Sequence, residues 1–217
     1  MKNNICSNQI EGDCMKQIIK SFKEEFTAAA VVTIPLCVAV NYVSGTIAGL
    51  LKLPIFLDTI GTLFACMIFG PLVGITTGML SSIISSITMP TMLPFIVVNI
   101  ALALCAGILA KHKMFSNYMK IFISSIIMAI VSIVIAAPIV VIVFSGFTGG
   151  GSSIIAALIT ASGTNIWISV FSAEGFFTWV DRILTIIICL SVIKCLPNKL
   201  LLLFPLGLLY LKNSDSE

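Results

Sequence analysis

The 217-residue sequence contains very little charge. Asp, Glu, Lys and Arg together make up 10% of the residues, whereas 59% are hydrophobic and the mean hydropathy is +1.15. A soluble globular chain carries about 25% charged residues. So few polar side chains cannot cover the surface of a protein of this size, and we expect lipid to cover most of it. The composition predicts a polytopic membrane protein and excludes a soluble domain.

The chain also lacks the side chains on which most catalytic and metal sites depend. Its single histidine, His112, lies in the polar stretch KHK, and neither HExxH nor GxSxG occurs. The seven cysteines form no CxxC pair, and several lie inside hydrophobic runs, which favours buried thiols over metal ligands. There is no GxxxxGK[ST] motif for ATP. We therefore predict no enzymatic activity, no metal and no cofactor in this chain.

Nucleic acid is also excluded as a partner by the charge pattern. The net charge is only +3, and the sequence has no basic patch interleaved with aromatic residues. The partners expected from composition are the lipid bilayer and small molecules.

Hydrophobic runs separated by turn signals predict an all-α integral membrane protein, a bundle of six transmembrane helices. The predicted spans are 26–50, a short one at 57–70, 72–88, 93–110, 119–145 and 174–196. The segment 152–172 is apolar but rich in Ser, Thr and Asn. It fits a further span, a re-entrant segment or an outer loop containing a helix, and we favour the last.

The lysines predict the orientation of the bundle through the positive-inside rule. With six spans, nearly all lysines fall in the N-terminal tail, the 111–120 loop and the C-terminal region, while the outer segments hold only Lys52. Both termini are therefore predicted to be cytoplasmic. The expected divisions are a cytoplasmic tail and interfacial helix at 1–25, a six-helix membrane domain at 26–197, and an interfacial or docking segment at 198–217. The apolar part of this last segment packs on the bundle or contacts a partner.

This topology places the acidic residues of the membrane domain in its outer half. Glu174, Thr178 and Asp181 are spaced i, i+4 and i+7, so they share one helix face. Convergent polar groups in an apolar bundle are typical of a small-molecule site. The predicted substrate-binding residues are Asp58, Asn99, Asn165, Trp167, Glu174, Thr178, Asp181 and Arg182.

Structural roles remain open for several of these residues. Asp58 precedes TIGT, so it could cap the second helix, and Arg182 could be a structural ion-pair partner of Asp58 or Asp181. Glu174 could likewise cap the sixth helix, and Trp167 could be an interfacial anchor. The glycine-rich stretch 145–153 fits either a lid or a plain connector.

Residues 49–74, GLLKLPIFLDTIGTLFACMIFGPLVG, resemble the pattern of a known family. The pattern is a hydrophobic-Pro loop, LD-IGT, a short helix and GP-xx-G. The continuation GITTGMLSSII, the Asn of the fourth span, GTNIW followed by an acidic residue, and the Asp–Arg pair of the last span extend the match. Over residues 25–205 the chain resembles the substrate-binding S components of energy-coupling factor (ECF) transporters.

The resemblance implies high-affinity binding of a vitamin or another scarce water-soluble nutrient near the outer face of the plasma membrane. It also implies two kinds of partner, a membrane coupling subunit and two cytoplasmic ATPases. Small residues on the first helix contact the coupling subunit in many members, and packing of that kind through Ala29 and Thr33 is physically reasonable. The corresponding candidates in this sequence are Ala28, Ala29, Ala30 and Thr33.

The predicted site contains three carboxylates and one nearby arginine, which favours a substrate with a cationic group. An amino-acid derivative, a small peptide or a thiamine-like vitamin would fit, and the face of Trp167 would also attract a cation. Two alternatives remain, a non-transporting membrane scaffold subunit and a stand-alone permease. The scaffold predicts that the outer polar residues have no effect, and the permease predicts uptake by the purified chain alone.

Overall fold

The computed structural model describes residues 24–211, and within this range the chain is helical with no strand. Most of the predicted tail and interfacial helix at 1–25 lies outside the described residues, as does the stretch 212–217. In chain order the helices are α1 (Ala28–Leu50), α2 (Ile60–Ile68), α3 (Pro71–Thr88), α4 (Ile96–Lys111), α5 (Tyr118–Phe144), α6 (Gly151–Ala161), α7 (Ile166–Cys195) and α8 (Asn198–Leu201). Two 3-10 turns, Pro90–Phe95 and Gly207–Tyr210, complete the described range.

Five helical segments of the described range are long and apolar enough to cross a membrane. They are α1, α3, α5, α7 and the run formed by the first 3-10 turn with α4. The helical membrane class is therefore confirmed. The predicted second span forms α2, which has nine residues and a length of about 13 Å, whereas the hydrocarbon core is about 30 Å thick. The six-span count and the cytoplasmic placement of both termini stay predictions.

The last long helix begins earlier than the sequence predicts. It starts at Ile166 instead of 174, because Asn165 caps it: the Asn165 Oδ1 accepts a hydrogen bond of 2.9 Å from the Trp167 N–H. The segment 152–172 thus consists of most of α6, a short turn and the first residues of α7. The prediction of an outer loop that contains a helix agrees with α6. It is wrong for residues 166–172, which belong to α7.

The short helix α2 is enclosed by its neighbours, and glycines allow the close approach. A Cβ on Gly61 would lie 2.1 Å from the Cys37 carbonyl oxygen of α1, and one on Gly74 of α3 would lie 2.0 Å from the Cys66 sulfur. Small residues bring membrane helices together in this way. The residues of α2 from Ala65 to Ile68 are consequently fully buried in the core.

The start of α2 is held by a side chain of α1. Asn41 is 1% exposed, and its Oδ1 accepts a hydrogen bond of 2.6 Å from the Gly61 N–H. Its Nδ2 donates to the Thr62 hydroxyl and to the Ser81 hydroxyl of α3, both at 2.9 Å. The first N–H groups of a helix have no partner within the helix. Asn41 therefore caps α2 from a neighbouring helix and ties α1, α2 and α3 together.

A carboxylate organises the end of the bundle that the lysines predict to be cytoplasmic. Glu25 is 4% exposed and accepts hydrogen bonds from the Leu72 N–H at 2.7 Å and from Lys111 Nζ at 2.8 Å. An anion is favourable at the N-terminus of a helix such as α3. Glu25 thus connects the chain just before α1 to the start of α3 and the end of α4.

The described part of the C-terminal segment packs against the C-terminal end of α2. The Leu206 N–H donates to the Ile68 carbonyl at 2.9 Å, and the rings of Phe204 and Phe69 meet edge to face with centroids 5.0 Å apart. Leu201 is buried, whereas Leu203 is 64% exposed. Packing on the bundle, one of the two predicted roles, is therefore present, and a partner contact through the exposed leucines stays a prediction.

Candidate functional site

A cavity of about 70 Å³ lies where α4, α5 and α7 meet the loop that precedes α2. Five of the eight predicted site residues line it, namely Asp58, Asn99, Glu174, Thr178 and Arg182. Its other lining residues were not predicted: Phe56, Met92, Phe95, Val98, Ser132, Ala136, Val140 and Thr148. The walls thus combine apolar side chains with several converging polar groups, as small-molecule sites do.

Helix α7 supplies one wall of the cavity. Glu174, Thr178 and Arg182 stand one turn apart on the same face, and each is at most 6% exposed. The Glu174 carboxylate accepts a hydrogen bond of 3.1 Å from the Ser152 hydroxyl at the start of α6. This bond holds α6 next to the cavity. Glu174 lies within α7, which begins at Ile166, so it does not cap the helix.

Asp58 enters the cavity from the loop between α1 and α2. The N-cap position of α2 is Thr59, whose own side chain forms no cap bond, and the side chain that accepts from the first turn of α2 is Asn41, so Asp58 is not the cap of this helix. Asp58 instead lines the cavity together with its loop neighbour Phe56. Of the predicted roles, the geometry excludes the cap and is compatible with both an electrostatic partner of Arg182 and a ligand contact.

Asp181 lies beside this loop and does not line the cavity. It is fully buried, and its Oδ1 accepts hydrogen bonds from the backbone N–H groups of Phe56 at 3.1 Å and Leu57 at 2.9 Å. Its Oδ2 is 3.4 Å from Nη2 of Arg182, whose Nη1 donates to the Thr59 hydroxyl. The adjacent acid and base of α7 therefore hold both ends of the segment that carries Asp58.

The backbone of this loop has an unusual conformation at Leu57, whose φ is +52°. Non-glycine residues rarely adopt positive φ, and such strain persists where surrounding contacts hold it in place. Here Asp181 binds the Leu57 N–H and the Ser44 hydroxyl of α1 donates to the Leu57 carbonyl at 2.6 Å. The loop conformation that presents Asp58 is therefore fixed from two helices.

Helices α3 and α4 contribute a neutral polar wall. The Asn99 side-chain amide donates to the Ser82 hydroxyl at 2.6 Å. A small void of about 10 Å³ next to the main cavity is lined by Asp58, Asn99 and three serines of α3, Ser81, Ser82 and Ser85. Hydroxyl and amide groups can both donate and accept hydrogen bonds, so this side suits uncharged polar atoms of a ligand.

The charges around the cavity do not balance. Asp58 and Glu174 are carboxylates, and Arg182 is the one cation among the lining residues. Arg182 already forms its ion pair with Asp181, which lies behind the wall. Arg182 also interacts electrostatically with Asp58, so one guanidinium serves both Asp181 and Asp58, and the lining carboxylates outnumber the lining cation.

Asn165 and Trp167 do not line the cavity. The Asn165 side chain caps α7, and Trp167 is 40% exposed and stacks on Phe171 with ring centroids 6.5 Å apart. Asn165 precedes Glu174 by nine residues, which corresponds to about 13 Å along a helix. The early start of α7 is what separates these two residues from the rest of the predicted site.

The four residues predicted to contact the coupling subunit differ in exposure. Ala28 is exposed, and Ala29 and Thr33 are half-buried. Ala30 is 0% exposed and belongs to the hydrophobic core, so its inclusion in an outward contact face was wrong. The Thr33 hydroxyl donates to the Ala29 carbonyl at 2.7 Å, which lowers the polarity of this face.

No group of three or more His, Cys, Asp or Glu side chains within residues 24–211 has an arrangement that could hold a metal ion. The polar groups of the cavity are instead carboxylates, hydroxyls, one amide and one guanidinium. Their chemistry suits hydrogen bonding and ion pairing with an organic molecule.

Apolar helices of membrane length around a polar cavity define a membrane protein that binds a small molecule. The chain belongs to the family of ECF transporter substrate-specific components, whose family model matches residues 29–193. No curated protein and no solved structure matches it. The resemblance found in the sequence is thereby confirmed. The protein is a substrate-binding subunit of the plasma membrane, from a non-catalytic family that associates with an ECF module of a membrane coupling subunit and ATPases.

Proposed function

We propose that this S component binds a small water-soluble nutrient carrying a cationic group, with high affinity, at the outer side of the membrane. Import then requires the coupling subunit and two cytoplasmic ATPases, which supply the energy. The substrate classes that fit are an amino-acid derivative, a small peptide or a thiamine-like vitamin. Contact of Ala28, Ala29 and Thr33 with the coupling subunit is part of the same proposal.

The observation that supports a cationic substrate is the unbalanced charge of the cavity. Asp58 and Glu174 both line it, and the only lining cation, Arg182, is paired with Asp181. A buried carboxylate is costly unless an opposite charge or a donor compensates it. A bound cation would provide that compensation for both carboxylates.

The aromatic lining supports the same substrate class. Phe56 and Phe95 line the cavity, and Phe95 is itself held by a parallel stack on Phe144 with centroids 6.1 Å apart. Aromatic faces attract organic cations, and the attraction grows when water is excluded. A flat or quaternary cationic group would therefore fit between the rings and the carboxylates.

The cavity is small for a vitamin-sized ligand. A volume of about 70 Å³ holds a few water molecules, whereas pockets for vitamin-sized ligands measure about 300–1,000 Å³. Ligand entry therefore requires movement of the covering segments. The candidates are the loop at 51–59 and the glycine-rich stretch with the start of α6, which carries the Ser152–Glu174 hydrogen bond.

The first test is a thermal-shift panel on the purified protein in detergent. The cationic compounds are thiamine, choline, lysine and a lysine-containing dipeptide, and the comparison compounds are biotin, pantothenate and riboflavin. A ligand at one hundred times its dissociation constant stabilises the folded state by about 2.7 kcal/mol. We expect this stabilisation from a cationic compound. Stabilisation by the anionic or neutral compounds alone would contradict a cationic substrate, and no shift with any compound would favour a scaffold.

The second test removes the two charges separately. Asp58→Asn and Glu174→Gln should each weaken binding of the best cationic compound by about tenfold or more, because a hydrogen bond to a charged group contributes about 1.5–3 kcal/mol. Lys52→Gln is the control, since Lys52 is an exposed charged residue at the same end and does not line the cavity. Unchanged affinity in both carboxylate variants would contradict the proposed site.

A further inference from the structure

Ser132 of α5 lines the cavity and was not predicted from the sequence. It is 2% exposed, and its hydroxyl has no hydrogen-bond partner among the described residues. We propose that Ser132 is a ligand-contacting residue that selects for a hydrogen-bonding atom on the substrate, separate from the cationic group. This inference rests on the proposed function and narrows its substrate class.

Among the described residues, two buried hydroxyls lack a hydrogen-bond partner, those of Ser132 and Thr185, and of these Ser132 lines the cavity. Serine in a membrane helix normally donates to a carbonyl of the preceding turn, which satisfies its hydroxyl locally. Ser81 and Ser82 of α3 do so, and Ser125 on the same helix as Ser132 donates to the Phe122 carbonyl at 2.7 Å. A buried polar group without a partner is unfavourable for folding and calls for an explanation. A ligand in the cavity would supply the missing partner.

Arg182 of α7 shows the same feature. Its Nε–H has no hydrogen-bond partner among the described residues, although its two terminal nitrogens contact Thr59 and Asp181. Arg182 also lines the cavity. The cavity lining thus offers two free hydrogen-bond donors, the Ser132 hydroxyl and the Arg182 Nε–H, besides the carboxylates, which are acceptors.

The two sets of groups define complementary requirements. Carboxylates accept only, so Asp58 and Glu174 would take the donors or the positive charge of the substrate. A hydroxyl and a guanidinium N–H can donate, so they would take acceptor atoms. The geometry therefore points to a bifunctional substrate: a cationic group together with a hydroxyl, a carbonyl, a carboxylate or a ring nitrogen. A simple alkylammonium ion would satisfy only half of the site.

The experiment compares Ser132→Ala with Ser125→Ala, a buried serine of the same helix that does not line the cavity. Each purified protein is measured for its unliganded melting temperature and for its affinity toward the panel compound that stabilises the wild type most. Ser132→Ala should leave the unliganded melting temperature unchanged or raise it, and should weaken binding by about three- to tenfold, the effect of one neutral hydrogen bond. Ser125→Ala should leave the affinity unchanged.

Two results would overturn the inference. One is wild-type affinity in Ser132→Ala, and the other is a lower unliganded melting temperature than in Ser125→Ala, which would mean that the hydroxyl has a structural partner. If only an anionic or neutral compound binds, the proposed substrate class fails and the Ser132 comparison is made with that compound. If no compound binds, the proposed function fails and the melting temperatures alone decide the inference.

Discussion

Gly61 is the residue at which α2 packs directly on the backbone of α1. Its N–H donates a hydrogen bond to the Asn41 side chain. Because glycine has no side chain, the Cys37 carbonyl oxygen of α1 comes so close that a Cβ on residue 61 would lie 2.1 Å from it. The contact is with backbone, which cannot rotate away as a side chain could. This position is two residues after Thr59 and three after Asp58, so it also sets the position of the cavity loop.

Replacing Gly61 should therefore destabilise the protein. Gly61→Ala forces α1 and α2 apart, and overpacking of this kind costs about 1–3 kcal/mol. Gly175→Ala of α7 is a matched control, because its Cβ would have its nearest heavy atom, Ile133 Cγ1, at an ordinary 3.9 Å. Thermal unfolding in detergent should show a melting temperature several degrees lower for the first variant only. Equal melting temperatures would contradict the described packing.

Some cavity residues could be predicted one by one from the sequence, and others could not. Asp58, Asn99 and Glu174 are conspicuous because polar side chains in apolar spans are costly and therefore informative. Ser132 gave no such signal, since a serine in a helix usually satisfies itself on its own backbone. Phe56 resembles any other apolar residue in the sequence. Only three-dimensional placement distinguishes these two from the core.

At the scale of elements, the loop at 51–59 depends on α7. Asp181 binds two successive N–H groups of this loop, and Arg182 binds the Thr59 hydroxyl. The sequence predicts Asp181 as a ligand contact, because it shares a helix face with Glu174. In the structure Asp181 lies behind the cavity wall, where it holds the loop that carries Asp58.

Asp181→Ala should loosen this loop, because it leaves the N–H groups of Phe56 and Leu57 without their acceptor. We expect faster hydrogen–deuterium exchange in the peptide covering 51–59 and about tenfold weaker ligand binding. Asp181→Asn keeps an acceptor oxygen and should have a smaller effect on exchange. A loss of affinity in Asp181→Ala with unchanged exchange would instead indicate the direct ligand contact that the sequence predicts.

The limits of prediction at this scale have a physical cause. Hydropathy located α1, α3, α4 and α5 to within a few residues, since length and apolar content are properties of each segment. The start of α7 was missed because a single side-chain cap at Asn165 determined it. That shift of eight residues removed Asn165 and Trp167 from the cavity. Caps and loop contacts depend on neighbours that a linear pattern does not contain.

At the scale of the whole molecule, the C-terminal segment lies beyond the family match, which ends at residue 193. It nevertheless completes the core: Phe204 packs on Phe69, and the Leu206 N–H binds the last carbonyl of α2. Helix carbonyls at a C-terminus need such partners. The segment therefore contributes to the stability of the bundle.

Phe204→Ala should lower the melting temperature markedly, since loss of a large aromatic residue from a core costs about 3–5 kcal/mol when fully buried, and less at this half-buried position. Leu203→Ala, the adjacent residue, removes a side chain that is 64% exposed and should have little effect on thermal unfolding. The reverse order would show that the segment is not packed as described. An effect of Leu203→Ala on assembly with the coupling subunit would support the predicted docking role.

The central claim is that this chain binds its substrate alone and transports it only within an ATP-driven complex. The most direct measurement is uptake of the best-binding panel compound into proteoliposomes. One set contains the chain alone, and the other contains the chain with the coupling subunit and both ATPases. Both sets are measured with ATP and without it, and the ATP is supplied to the side of the membrane on which the ATPases lie in the complete complex. We predict uptake only in the complete complex with ATP. Uptake by the chain alone would contradict this account and establish a stand-alone permease.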